Sequence, residues 1–296
     1  MLSPNFFLFV GIAIVSYGFQ APILAYFTRK HSSLIVIVYR NLFLVVLMFP
    51  VLFFATRQDL VLITEHSGLL LLASFCGVVA LSLNLSAFRY LPVAIANILR
   101  QVSDVILAIV VGSFFLQEYL TAPQLLLLGA IVCCGITLAL IRSPQVKVLA
   151  PHKNKGVLLA VLAGFAHALS FFFFSKLVRI TSPIVAAYFW EAFIGVFAFL
   201  YLLFLLKRKQ FSAPVKLPFR TVLPMGLASL VTISGTLAYG YAVTVGPYAL
   251  ATGLITSSIV VVLFASSVFL KEKLAFKQVF LMLAIVMCMI VLRITS

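Results

Sequence analysis

Charge is what this sequence has least of. Only 9% of its 296 residues are Asp, Glu, Lys or Arg, and just six of those are acidic. A soluble domain carries roughly a quarter charged residues, so a water-facing surface of this extent is excluded. Cysteine is also scarce. Cys76, Cys133, Cys134 and Cys288 all fall inside apolar runs without metal-ligand spacing, and they read as small packing residues. There is no Gly-rich phosphate loop, no His-Glu-x-x-His and no Gly-x-Ser-x-Gly. Nucleotide hydrolysis, zinc proteolysis and serine hydrolysis therefore lose their usual signatures, and neither a cofactor nor a metal is expected. The opening Met1-Leu2-Ser3-Pro4 lacks the basic region of a secretory signal, so it reads as the start of a first membrane span.

What the sequence has is long apolar runs, with 64% hydrophobic residues. The net charge of +15 would suggest nucleic acid in a soluble protein. Here the cations sit in short connectors between apolar runs, where orientation in a bilayer explains them, and no nucleic-acid partner is expected. A helix needs roughly 20 apolar residues to cross the hydrocarbon core, and its backbone groups must bond internally there. On that rule the fold is an all-α integral membrane protein with ten transmembrane helices. The first five are expected near 5–27, 33–55, 67–89, 92–115 and 122–141. The others are expected near 156–178, 183–206, 220–243, 247–270 and 275–294.

The chain repeats itself. Phe115-Leu116-Gln117-Glu118-Tyr119-Leu120 returns 154 residues later as Phe269-Leu270-Lys271-Glu272-Lys273-Leu274, and Gln124 returns as Gln278. Pro92-x-Ala94-x-Ala96 returns as Pro247-x-Ala249-x-Ala251, one residue out of step. The predicted organisation is a five-helix repeat over 1–142, a connector over 143–155 and a second five-helix repeat over 156–296. Five is odd, so the second copy enters the bilayer from the opposite face and the repeats are inverted. Such repeats meet around a site near the midplane, and alternating access moves one against the other. Fifteen Lys and Arg of the connectors fall on one face, against Arg57, Lys176, Arg179 and Arg293 on the face bearing the termini. Basic residues mark the cytoplasmic side, so both termini are predicted outside, in a multi-pass protein of a bacterial inner membrane.

Ionisable groups inside lipid are costly and mark pathways or pairs. Four lie within spans: Arg40, Arg100, Asp104 and Glu191. At 1.5 Å per residue the two arginines sit about 10–12 Å from the basic face, and the two acids about 12 Å from the other. Arg100 and Asp104 share one helix face and can pair. Arg100 suits an oxyanion because its planar fork donates twice. The expected substrate-binding set is Arg100, Asp104, Arg40, Asn41, Tyr17 and Trp190, the only tryptophan. Gln20, Asn84, Asn97, Gln101 and Tyr239 are further polar candidates. Glu191 has no opposite charge three or four positions away, and an unpaired carboxyl in low dielectric favours its neutral form. It is therefore the first proton-coupling candidate, with His167, at the repeat position of Tyr17, as the second. Glu118, Gln124, Glu272 and Gln278 stand at helix ends, where they are expected to fix hairpins by capping.

With these motifs in place, the chain resembles the EamA-type branch of the drug/metabolite transporter superfamily along nearly its whole length. The resemblance rests on the two five-span halves, on Pro92 with Glu118, Leu120 and Gln124, and on Pro247 with Glu272, Leu274 and Gln278. It implies a secondary carrier of small metabolites, with an exporter favoured; an amino-acid-like substrate, or else an organic anion, is expected because charges of both signs face the interior at similar depth. Such a carrier works on a proton gradient or by exchange through a central cavity, and homodimerisation stays open. These proteins commonly carry a proline inside span four, where this chain has Val105, with Ile259 at the counterpart. Two rival readings are an intramembrane lipid-modifying enzyme and a non-transporting membrane partner subunit.

Overall fold

The structure is a computed structural model that describes residues 3–141, 153–271 and 275–295. Helices α1 (Pro4–Thr28), α2 (Ser33–Met48), α3 (Arg57–Glu65), α4 (Ser67–Ala87), α5 (Val93–Phe115) and α6 (Ala122–Leu140) make up the first half. The second half contains α7 (Lys153–Ile180), α8 (Pro183–Lys207), α9 (Phe219–Val245), α10 (Tyr248–Ile255), α11 (Ser258–Phe269) and α12 (Phe276–Thr295). No strand occurs among the described residues. Eight helical stretches are long and apolar enough to cross a membrane, and two more, Ala122–Thr137 and Val279–Leu292, are shorter.

The helices begin where caps allow. Ser3 and Ser182 accept the amides of Phe6 and Val185 at 3.3 Å each, with Pro4 and Pro183 following at the first helical position. A side-chain acceptor satisfies one orphan donor there, and proline has no amide to leave unpaired. The α5–α6 hairpin is fixed by its backbone. Gln117 turns left-handed at φ 53°, and the amides of Leu116 and Glu118 both reach the Gly112 carbonyl, at 3.1 Å each. Lys271, the repeat partner of Gln117, has φ 55°. Gln124 caps α6 as expected, its Oε1 accepting the Thr121 amide at 2.9 Å. Glu272 and the side chain of Gln278 lie outside the described residues.

Three features depart from the expected spans. The α-helical part of the second ends at Met48, and Phe49–Phe54 continue as a 3-10 helix. Between the second and third lies α3, started by Thr56 and Asp59. The Asp59 amide donates to Thr56 Oγ1 at 3.1 Å, and the Thr56 amide to Asp59 Oδ2 at 3.1 Å. The expected ninth span is broken into α10 and α11 at Thr256-Ser257, where the amides reach back only three residues.

Helices pack mostly on partners from the other half. α1 lies on α9 and α11, as α4 and α5 lie on α7, while α2 meets α8, α5 meets α10 and α6 meets α12. Close crossings need small residues. A Cβ at Gly18 would collide with the Val261 side chain, and one at Gly164 with the Arg100 carbonyl oxygen.

Candidate functional site

The connectors gather at two ends of the bundle. At the basic end, Arg89 donates to the carbonyls of Thr28 and His31, while Lys155 lies over the Tyr90 ring. A groove there is lined by Arg29, Lys30, His31, Arg89 and the 210–214 loop. At the opposite end, Arg179 donates to the carbonyls of Val243 and Gly246 and to the Glu118 carboxylate. Glu118 also accepts the Ala249 amide at 3.2 Å. Contrary to expectation, the Glu118 carboxylate does not cap its own hairpin. It ties the first half to the second, because the left-handed turn at Gln117 lets the backbone close the helix.

Between these ends lies a cavity of about 90 Å³, room for roughly six waters or a solute of similar size. Its walls come from both halves. Tyr17, Gln20, Arg40, Asn84, Asn97 and Arg100 face His167, Phe171, Trp190, Glu191 and Thr236. The lining runs along α1 to Leu24 and along α4 to Phe88, toward the basic end. Toward the opposite end it stops at an aromatic layer. Phe171 stacks on Tyr239 with centroids 4.2 Å apart, and Phe174 on Trp190 at 4.4 Å. The Trp190 Nε1–H donates to Ser170 at 3.2 Å, which holds the indole in place.

Six expected site residues thus line one cavity: Tyr17, Arg40, Arg100, His167, Trp190 and Glu191. Asn41 and Asp104 stand behind it as supports. Sequence reasoning missed Thr236, one of several hydroxyl residues in a long apolar helix with nothing to single it out.

Glu191 corrects an expectation. Its carboxylate is 2% exposed but not unpaired. It takes both Arg40 Nη1 and Nη2 at 3.1 Å, Asn41 Nδ2 at 3.1 Å and the Thr236 hydroxyl at 3.2 Å. Its own carbonyl accepts Asn41 Nδ2 at 2.7 Å. The partner is 151 positions away, so no helical spacing rule reaches it.

The expected Arg100–Asp104 pair forms only loosely. Arg100 Nη1 lies 3.6 Å from Asp104 Oδ2, beyond hydrogen-bonding reach. Asp104 Oδ2 instead meets His167 Nδ1 at 2.6 Å. Arg100 Nη2 touches Asn97 Oδ1 at 3.4 Å, and its Nε and Nη1 have no hydrogen-bond partner. The Tyr17 hydroxyl and Asn84 Oδ1 are likewise buried without one. Buried polar groups are normally satisfied. Here a guanidinium, a phenol and an amide with spare capacity border one cavity. Among the described residues no group of three or more His, Cys, Asp or Glu could hold a metal ion.

No functionally curated protein matches the chain significantly. A protein of known crystal structure, 16% identical, superposes with a TM-score of 0.66 over 95% of this chain and 93% of that one. At that identity the likeness speaks to the fold alone. The model of the EamA-like transporter family matches twice, over residues 6–141 and 154–294, one match for each half that the duplicated Glu-x-Leu phrase marks. The chain belongs to the EamA-like transporter family, a family of membrane transporters of small molecules.

Proposed function

We propose that this protein is a secondary carrier of small organic anions, with the substrate carboxylate held by Arg100. One observation carries the reading: Arg100 is 8% exposed, borders the cavity and has two guanidinium nitrogens without hydrogen-bond partners. A buried cation with spare donors favours a planar oxyanion, because charge-assisted pairs are strong and bidentate ones directional. The Tyr17 hydroxyl and Asn84 serve the rest of the solute, and Phe171 and Trp190 its apolar side. Ten spans in two inverted halves, with the basic face cytoplasmic and both termini outside, agree with the alternation of connectors between the two ends.

A zwitterionic amino acid is the alternative substrate. It needs an anionic acceptor for its ammonium group, yet both Glu191 oxygens are engaged. Asp104, though its Oδ1 has no partner, is off the cavity lining, which leaves neutral acceptors such as Asn84 Oδ1 there. L-Lactate and L-alanine, nearly equal in size, separate the two readings. Lactate is expected to raise the unfolding temperature of the purified protein more than alanine does, by ligand linkage. Arg100→Ala is expected to weaken lactate binding by about 2–4 kcal/mol, roughly 30- to 1000-fold. Uptake into vesicles holding the protein must accompany binding. Lactate affinity unchanged by Arg100→Ala, or chemical conversion without flux, overturns the proposal.

A further inference from the structure

We infer that His167 carries one proton into the cavity together with each substrate anion, while Glu191 stays locked to Arg40. This rests on the reading of Arg100 as the anion site and adds its coupling. Two acids and two cations on and just behind the cavity wall compensate one another: Arg40 with Glu191, and Arg100 with Asp104. With His167 neutral their charges cancel. A monoanion on Arg100 leaves the site one negative charge in excess, and uncompensated charge away from water is costly. One protonatable group stands where it can restore neutrality. His167 holds Asp104 Oδ2 through Nδ1 at 2.6 Å, which leaves Nε2 for the cavity it lines.

Exposure separates the two proton candidates. The His167 side chain is 23% exposed, against 3% for Glu191 and 5% for Asp104. Protons from cavity water therefore reach the imidazole first. In Glu191 both carboxylate oxygens already accept from Arg40, and accepting a proton would break a bidentate pair. The other groups facing His167 are neutral or already counted. They are Arg100 and Asp104 from α5, Tyr17 from α1, Trp190 and Glu191 from α8, Tyr239 and Thr236 from α9, Arg40 from α2, and Tyr248 from α10, whose hydroxyl donates to the Ala168 carbonyl.

The step balances simply. The anion docks on Arg100 and draws the guanidinium from Asp104. A proton from water adds to His167 Nε2, and the resulting imidazolium keeps Asp104 paired through Nδ1–H. Anion and proton then cross as a neutral pair and leave together. Under an inward proton gradient this sign of coupling drives uptake, opposite to the direction that the family resemblance favours.

The test is calorimetric titration of the full-length protein in detergent with sodium L-lactate, pyruvate and acetate, run in buffers of different ionisation enthalpy. About one proton is expected to be taken up per anion bound at neutral pH. By linkage, affinity is expected to fall about tenfold per pH unit on the alkaline side. His167→Gln is expected to bind the anion more weakly than the unaltered protein at neutral pH, without proton uptake and with a flat pH profile. Binding by the unaltered protein with no proton uptake, or uptake that survives His167→Gln, overturns the coupling and leaves the Arg100 site standing. If His167→Gln does not fold, the pH slope of the unaltered protein decides, since a zero or rising slope is fatal. If none of the three anions binds, the Arg100 reading fails and this one with it.

Discussion

Replacing Glu191 by Gln keeps the shape of the α2–α8 contact and removes its charge. The carboxylate accepts two hydrogen bonds from Arg40, one from Asn41 and one from Thr236. An amide offers one oxygen where there were two and turns an NH₂ toward donors. Arg40, 4% exposed, keeps its charge without a counterion, and its Nε already lacks a partner. Breaking a buried pair from one side costs about 3–5 kcal/mol, whereas replacing both partners with neutral groups can be nearly neutral. Glu191→Gln is therefore expected to lower the unfolding temperature in detergent by about 6–10 °C, at roughly 2 °C per kcal/mol for a chain of this length. Arg40→Met combined with Glu191→Gln is expected to recover at least half of that loss. Thermal unfolding of the two single variants and the double variant gives the coupling directly. The reasoning is refuted if Glu191→Gln is as stable as the parent while the pH dependence of transport shifts, for Glu191 is then the titrating group and not the strut.

Three further outcomes follow from named contacts. Gly164→Ala places a methyl group against the Arg100 carbonyl oxygen and the Ser103 side chain; it is expected to cost about 1–3 kcal/mol and to weaken anion binding, read by thermal shift with and without lactate. Asp59 is held below the ordinary carboxylate range by the Thr56 hydroxyl first, with the amides of Thr56 and Ser182 adding to it. Its contribution is therefore complete above the unfolded value, about pH 4, and is lost as pH falls through the lower folded value. Hydrogen exchange across Arg57–Glu65 is expected to speed up in acid before the rest of the bundle, and Asp59→Asn is expected to remove that acid sensitivity. Finally, because α1 rests on α9 and α4 on α7, residues 1–142 or 153–296 expressed alone are expected to aggregate on detergent extraction, while the two co-expressed are expected to co-purify; a monodisperse single half would contradict the interlocked arrangement.

The long apolar runs and the duplicated phrase were legible because lipid imposes a length and a repeat imposes a register. The expected spans agree with the helices to within a few residues, apart from α3, the break in span nine and the 3-10 stretch Phe49–Phe54 that closes span two. The first of those was readable: Thr56-x-x-Asp59 is a capping box, hidden because an apolar-window rule looks past a short polar segment. The break at Thr256-Ser257 has no proline to mark it. Arg40 with Glu191 was invisible for a different reason, since side-chain spacing rules operate within one helix and this pair joins two. The repeat nevertheless held a clue. Asn41 stands opposite Glu191 at an offset of 150, and in the structure Asn41 touches Glu191 twice. Equivalent helices that cross on a pseudo-two-fold axis bring equivalent residues together, so the register of the repeat doubles as a contact prediction for α2 with α8.

That same crossing constrains how the molecule can move. If each half were a body of its own, most contacts would lie within halves, and alternating access would slide one sequence half past the other. Instead α4 and α5 both lie against α7, and α9 and α11 both lie against α1. Each group takes helices from both repeats, so if the proposed carrier works by rocking, its moving units are mixed, with the cavity between them. The axis pairs α2–α8 and α5–α10 then form the seam. Arg40 and Glu191 fasten the first pair near mid-depth, while Glu118 fastens the opposite end by joining Arg179 and the Ala249 amide. At the other end the halves also touch, since the Tyr39 hydroxyl of α2 donates to the Val215 carbonyl at 3.2 Å and Lys155 lies over the Tyr90 ring, but no buried ion pair holds them among the described residues. That end is the basic one, where Arg29, Lys30 and Arg89 collect. On the proposed reading, an anion drawn in by those cations meets Arg100 next, so the charge layout favours entry from the basic end.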